Sequence, residues 1–196
     1  MGILSRLKTP SFGAGGVPDV DEANYRLSVE GLIRDPFACS IEEIKGWPKS
    51  AVSARLTSVS GWSVRATWEG VLWRDFMNLV SPLPEASHVI FVSLGEGYST
   101  TVSLTDLDHP RTLLVYAVEG EPLERAYGGP LRMVISHLYG YKSAKWLGRI
   151  EFADAMRGGF WEDKGYSRSG VIEPGTTLDV NSGLRKSIKG GEVLDF

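Results

Sequence analysis

Cysteine is nearly absent from this chain, which carries only Cys39. One thiol rules out an intrachain disulfide and any zinc site built on four cysteines, or on two cysteines with two histidines. Long apolar runs are missing as well: no stretch reaches the roughly 18 uninterrupted apolar residues of a spanning helix. The opening M-G-I-L-S-R-L-K-T-P-S-F-G-A-G-G lacks the apolar core of roughly 7 to 15 residues of a secretory signal, and lacks a twin arginine. Arg6 stands where a myristoylation signal asks for Ser or Thr. A cytoplasmic protein with no membrane span is therefore expected. Positive charge is not in excess, since 21 Lys and Arg face 24 Asp and Glu, a net −3. That balance argues against nucleic acid and leaves small molecules or proteins as expected partners. No repeat of about 20–50 residues is visible, which removes solenoids and propellers.

What remains has the composition of one soluble domain, 196 residues with 42% hydrophobic and 23% charged. A chain of this length can bury about 70% of its extended surface. It needs no metal or disulfide staple, so a bound cofactor would serve chemistry. Residues 1–21 are rich in Gly, Pro and Ser without a hydrophobic period, which predicts a loose N-terminal arm. Residues 172–196 are polar and Gly-rich and predict a tail of the same kind. The folded domain is expected over 22–171.

Within it, Tyr25-Arg-Leu-Ser-Val-Glu alternates like a half-buried strand ending at Gly31. Ser40-Ile-Glu-Glu43 spells a capping box for a short helix that stops before Pro48, with Cys39 as its hydrophobic staple against Ile44. Strands are expected at 52–59 and 64–68 around an S-G-W-S turn, and a helical face at 72–80. A hairpin is expected around Gly95-Glu96-Gly97, with further strands at 113–118, 131–135 and 146–152. Sheet dominates without regular βαβ alternation, which is an α+β, β-rich mixed-sheet class.

Several common chemistries fail on spacing. Gly95-x-Gly97 lacks the third glycine at position 100 and precedes a strand, so it is no dinucleotide loop. His88, His109 and His137 lie in different elements and form no local metal motif. Gly61-Trp-Ser-Val-Arg65 lacks the second glycine of a nucleophile elbow. More telling is Tyr139-Gly-Tyr-Lys142-Ser143-Ala144-Lys145-Trp146, which gathers two cations, a hydroxyl and backbone donors beside a glycine. It suits an anionic headgroup. It equally suits a solvated loop whose lysines lie over aromatic rings.

Taken together, Arg55-x-x-Ser58-Val-Ser-Gly-Trp-Ser63, Trp68-Glu-Gly-Val, Gly97-Tyr98-Ser-Thr-Thr, Gly128-Gly-Pro-Leu-Arg132, the Leu138–Trp146 stretch and Gly159-Phe-Trp-Glu resemble the sulfite oxidase-like molybdopterin-binding oxidoreductases. The likeness spans about residues 24–170. It is nearest to small single-domain members related to the protein-methionine-sulfoxide reductase catalytic subunit. The resemblance implies a mononuclear molybdenum on one pterin dithiolene, a cysteine ligand and oxygen-atom transfer. It also implies a sulfoxide-type or other small-molecule substrate and, with no second folded domain or haem motif in this sequence, a separate electron-transfer protein. It marks Arg55, Trp62, Tyr98, Arg132, His137, Lys142, Ser143, Ala144 and Lys145 as cofactor-binding candidates. It marks Ser58 and Tyr127 as catalytic candidates, and Ala126-Tyr127 stands where many of the family carry a polar residue or His near the active-site entrance.

Ser58 falls where the family places its metal-binding cysteine. A thiolate forms easily, with free Cys near a pKa of about 8.5, whereas a serine hydroxyl must lose its proton from far higher. Three explanations stay open: a cofactor-binding protein with altered or lost catalysis, a working serine oxygen ligand, or an engineered change.

Overall fold

A computed structural model describes residues 2–95 and 97–191. Met1, Glu96 in the expected hairpin turn, and residues 192–196 of the expected tail lie outside the described residues. In chain order the elements are α1 (Ile3–Arg6), β1 (Leu27–Gly31), β2 (Phe37–Cys39), α2 (Ile41–Lys45), β3 (Ser50–Ser58), β4 (Trp62–Leu72), α3 (Trp73–Met77), β5 (His88–Ser93) and β6 (Ser99–Ser103). They continue with α4 (Leu104–Leu107), β7 (Thr112–Val118), β8 (Glu121–Pro122), β9 (Arg132–Ile135), β10 (Leu147–Ala153), β11 (Gly175–Asp179) and β12 (Leu184–Ile188). Three short 3-10 turns, at Arg125–Tyr127, Gly140–Lys142 and Glu162–Lys164, shape the connections.

The strands form two sheets. One runs β2-β1-β10-β5-β6; the other runs β12-β11-β4-β7-β8, with β3 also on β4 and β9 also on β7. Side-chain alternation explains how the second sheet is buried on both faces. Along β9, Met133 and Ile135 point into the core shared with the first sheet, while Val134 points the other way. Along β7, Leu114 joins that shared core, and Leu113 and Val115 join Ala54, Leu56, Val64 and Trp68 on the opposite face. This second apolar face is the floor of the site described below.

Local chemistry sets the short helices. The Glu43 carboxylate accepts from the Ser40 amide at 2.7 Å, while the Ser40 hydroxyl accepts from the Glu43 amide at 3.2 Å, closing the capping box. Cys39 and Ile44 are both buried in the shared core beside it. Burial pushes the Cys39 thiol up to about 12, as expected of a staple rather than a reactive group.

The terminal segments differ from expectation. The tail forms a hairpin, β11 with β12, that docks in parallel on the start of β4. Its alternation is inverted: Thr177 and Asp179 face inward while Leu178 and Leu184 face solvent. A search for alternating apolar residues therefore sees no strand there. Asp179 is satisfied by Arg55, whose guanidinium donates to its two carboxylate oxygens at 3.0 and 3.3 Å and to the Ser63 hydroxyl at 3.2 Å. Burial raises the Asp179 carboxyl, but the Arg55 and Asn181 hydrogen bonds outweigh it and hold it below its usual range. With the folded pKa depressed, the clasp contributes fully above about pH 4 and fades on acidification. Replacing Arg55 by Ala leaves a buried carboxylate and is expected to cost on the order of 3 kcal/mol. Hydrogen exchange should register it as lost protection across residues 175–188, and unchanged protection there would refute the clasp.

Beyond that docking point, β4 has an edge with no neighbouring strand among the described residues before its pairing with β7 begins at Trp68. Side chains fill it. The Asn181 amide oxygen accepts from the Arg65 amide at 2.6 Å and its NH2 donates to the Arg65 carbonyl at 2.8 Å. Two residues on, Glu119 accepts from the Thr67 amide at 2.6 Å through its carboxylate and donates its own amide to the Thr67 carbonyl at 2.9 Å.

Candidate functional site

On the second apolar face lies a cavity of about 340 Å³. Leu56, Val64 and Trp68 form its floor. Ser58 reaches it from the tip of the β3–β4 hairpin, where the three-residue loop Val59–Gly61 closes through Gly61 at φ +86°. The Ser58 hydroxyl lies 2.8 Å from the Ser60 hydroxyl and accepts from the Ser60 amide at 3.2 Å. Trp62, its cross-strand partner, lines the same space.

Two cations line the same cavity. Arg132, at the start of β9, is buried and donates to the carbonyls of Met133, Tyr127 and Ser143 at 3.1, 2.8 and 3.4 Å. Lys145 reaches it from the loop before β10, its ammonium 3.1 Å from the Ser11 hydroxyl and 4.4 Å from the Trp146 ring centre. Gly128 makes their proximity feasible: at φ +113° it has no side chain, and a Cβ there would press within 3.0 Å of Lys145 and 3.1 Å of Arg132. Among the described residues no carboxylate pairs with either cation. Burial lowers Arg132 to about 10, and burial together with the neighbouring Arg132 lowers Lys145 to about 7. Two desolvated like charges constitute a standing demand for an anion.

The structure divides the sequence candidates. Ser58, Trp62, Tyr98 and Tyr127 line the cavity, as do Arg132, Ser143 and Lys145. The Tyr98 hydroxyl donates to the Tyr141 carbonyl at 2.5 Å, that of Tyr127 to the Thr9 carbonyl at 2.8 Å, and the Ser143 hydroxyl accepts from the Ile135 amide at 2.9 Å. Arg55, His137, Lys142 and Ala144 are not among the lining residues. Arg55 is the tail clasp. The His137 ring lies against His109, centroids 4.2 Å apart, and Ala144 is buried with its carbonyl accepting from the Met133 amide at 2.8 Å.

Lys142 is buried and fully engaged. Its ammonium donates to the Glu162 carboxylate at 2.7 Å and to the carbonyls of Thr101 and Arg168 at 2.8 and 2.6 Å. Three donors on three acceptors leave none for a ligand. Sequence reasoning, in turn, overlooked Thr9–Gly13 in the cavity wall, because that segment has no hydrophobic period. Trp161 was present only inside a quoted motif, and Tyr166 carried no local signal.

Residues 14–161 match the family described as the oxidoreductase molybdopterin binding domain. The chain belongs to that family. This molybdopterin-binding oxidoreductase domain is 37% identical over 163 residues to the uncharacterized oxidoreductase YuiH of Bacillus subtilis (strain 168), with 82% of each chain covered. It is 29% identical over 152 residues to the protein-methionine-sulfoxide reductase catalytic subunit MsrP of Ralstonia nicotianae, covering 70% of this chain and 46% of that one. Its fold matches the sulfane dehydrogenase SoxCD of Paracoccus pantotrophus with a TM-score of 0.68 at 16% identity, over 90% of this chain and 47% of that one. The chain thus spans about half the length of the last two. The fold is the sulfite oxidase-like α+β arrangement, and among the described residues no helix is long and apolar enough to cross a membrane.

The cavity fits the organic part of a molybdopterin. Its aromatic walls suit a flat ring system, and Arg132 with Lys145 suits an anionic tail. The metal position is sparser: the lining includes no Cys, His, Asp or Glu, and among the described residues no group of three or more such side chains is poised for a metal. Ser58, which the sequence resemblance sets at the metal, is among the lining residues.

Proposed function

We propose that this domain holds molybdopterin in the cavity, with Arg132 and Lys145 on the anionic tail, Ser143 beside them and Ser58 at the metal position. Supporting this is one observation above all: Ser58 and the two carboxylate-free cations line a single cavity. When bound, the group supplies two-electron oxygen-atom transfer chemistry. The chain's own part is to bind and orient. Arg132 and Lys145 neutralise the tail, while Trp62, Tyr98 and Tyr127 wall the space. The reading extends to a sulfoxide-type or other small substrate, to a separate electron-transfer protein and to a cytoplasmic setting, which cell fractionation tests directly.

A second reading, a non-catalytic pterin- or anion-binding module, is favoured by the Ser58 hydroxyl already being engaged with Ser60. Elemental analysis for molybdenum and fluorescence of the oxidised, released pterin separate the two. Equal amounts of both support the oxidoreductase, pterin without metal supports the module, and neither would overturn the oxidoreductase and leave the module only with another anion. Ser58→Cys supplies a soft thiolate where a hydroxyl must otherwise be deprotonated. It is expected to raise bound molybdenum per pterin at least about tenfold if the parent is metal-poor. No gain in a metal-poor parent would end the ligand assignment.

A further inference from the structure

The family match begins at residue 14, yet Leu4 and Thr9–Gly13 line the cavity. The segment is pinned on both sides. At its start Leu4 is buried against the floor residues, and the Glu124 carboxylate accepts from the Gly2 amide at 2.7 Å and the Ser5 hydroxyl at 2.8 Å. Further along, Asp19 pairs with Arg125 at 2.6 Å. Thr9 is also held, its carbonyl accepting from the Tyr127 hydroxyl at 2.8 Å, and beyond it the connections are slight. The Ser11 hydroxyl donates to the Ala126 carbonyl at 2.6 Å and accepts from Lys145, and the Phe12 ring lies 5.1 Å from Trp161 and 6.0 Å from Phe160.

We propose that Ser11 and Phe12 are ligand-site residues, carried on a strap that shares Lys145 with the bound anion and retains an aromatic anion in the cavity. The proposal rests on the reading above for the identity of that anion, a pterin, but the geometry of the strap does not. Ser11 touches the one cavity cation whose remaining ammonium hydrogens have no acceptor among the described residues. It therefore orients that ammonium for a ligand. Phe12 closes the wall on the aromatic pair that includes Trp161. Being 47% exposed, Phe12 contributes little to the core, so replacing it opens the strap without unfolding the domain.

The test compares the full chain with Ser11→Ala/Phe12→Ser, checked for an unchanged thermal midpoint. The probe is anilinonaphthalene sulfonate, an aromatic anion matched to the aromatic walls and two cations, with its exchange followed by stopped flow; release of any co-purified pterin is followed in parallel by fluorescence. The variant is expected to exchange the dye at least about tenfold faster, the scale of one lost charge-assisted hydrogen bond. Dye entry into the variant alone would equally support a closed strap. Exchange that is equal, or equally absent, overturns the proposal. Trypsin supplies a second readout, because Lys8 is exposed at the strap's start. Protection of the Lys8–Thr9 bond by the dye in the parent but not the variant is expected, and equal cleavage of parent and variant, each with and without dye, counts against the strap. Faster dye exchange in a protein that never carries pterin would uphold the strap and sink the cofactor assignment alone.

Discussion

Lys142→Met is expected to destabilise the fold by about 3–5 kcal/mol, the range for removing one partner of a fully buried ion pair. Both side chains of the Lys142–Glu162 pair are 0% exposed. The substitution abandons the Glu162 carboxylate to the Thr100 hydroxyl, which donates at 2.6 Å, and frees the carbonyls of Thr101 and Arg168. For a chain of this size the loss corresponds to a fall of roughly 6–20 °C in thermal midpoint. Replacing both partners with apolar residues, Lys142→Met with Glu162→Leu, should recover much of it, because no uncompensated charge remains. Glu162 also adjoins Trp161, a cavity residue, so ligand retention falls as a consequence of the lost packing. A single variant with an unchanged midpoint would show that the pair is not structural.

Lys145→Ala should behave in the opposite sense. Losing a charge-assisted contact of about 1.5–3 kcal/mol weakens retention of the anion by about 10- to 100-fold. Stability of the unliganded protein does not fall, and relative to the parent it rises toward low pH, since burial and Arg132 disfavour the folded ammonium that the substitution removes. The pH dependence carries the distinguishing signature. Between about pH 7, where the folded group titrates, and about 10.4, the unfolded chain binds a proton that the folded one does not. Folding stability of the unliganded protein therefore rises with pH through that window. Anion retention runs the other way, falling above about pH 7 as the ammonium is lost. Replacing Lys145 should flatten both trends, as calorimetry and dye or pterin titration across pH would register. Retention as strong in Lys145→Ala as in the parent, at every pH, would remove Lys145 from the site.

These two lysines mark the limit of what sequence could say. Three positions apart in one Lys-Ser-Ala-Lys stretch, they read as one anion cradle. Conformation separates them: the 3-10 turn Gly140–Lys142 sends Lys142 toward Glu162, 20 residues away in sequence. Trp146, held at φ +48° with its indole donating to the Arg125 carbonyl at 2.6 Å, keeps the far end of the loop by the cavity. Elements governed by local rules were legible. The capping box at Ser40, the hairpin that presents Ser58, and most strands follow from period and turn chemistry. Elements governed by distant partners were not. Arg55 looked like a ligand residue until Asp179 met it from the tail, and that tail hid its strands by turning threonine and aspartate inward.

The borrowed pairing along β4 has a further meaning. A strand edge with bare amides and carbonyls invites a stray strand from another molecule. Asn181 occupies both groups at Arg65 with its side chain, and Glu119 takes the Thr67 amide with its carboxylate and the Thr67 carbonyl with its own amide, so no onward ladder is offered. The sheet therefore ends there in two blunt stops, and neighbouring copies find nothing at that margin to copy.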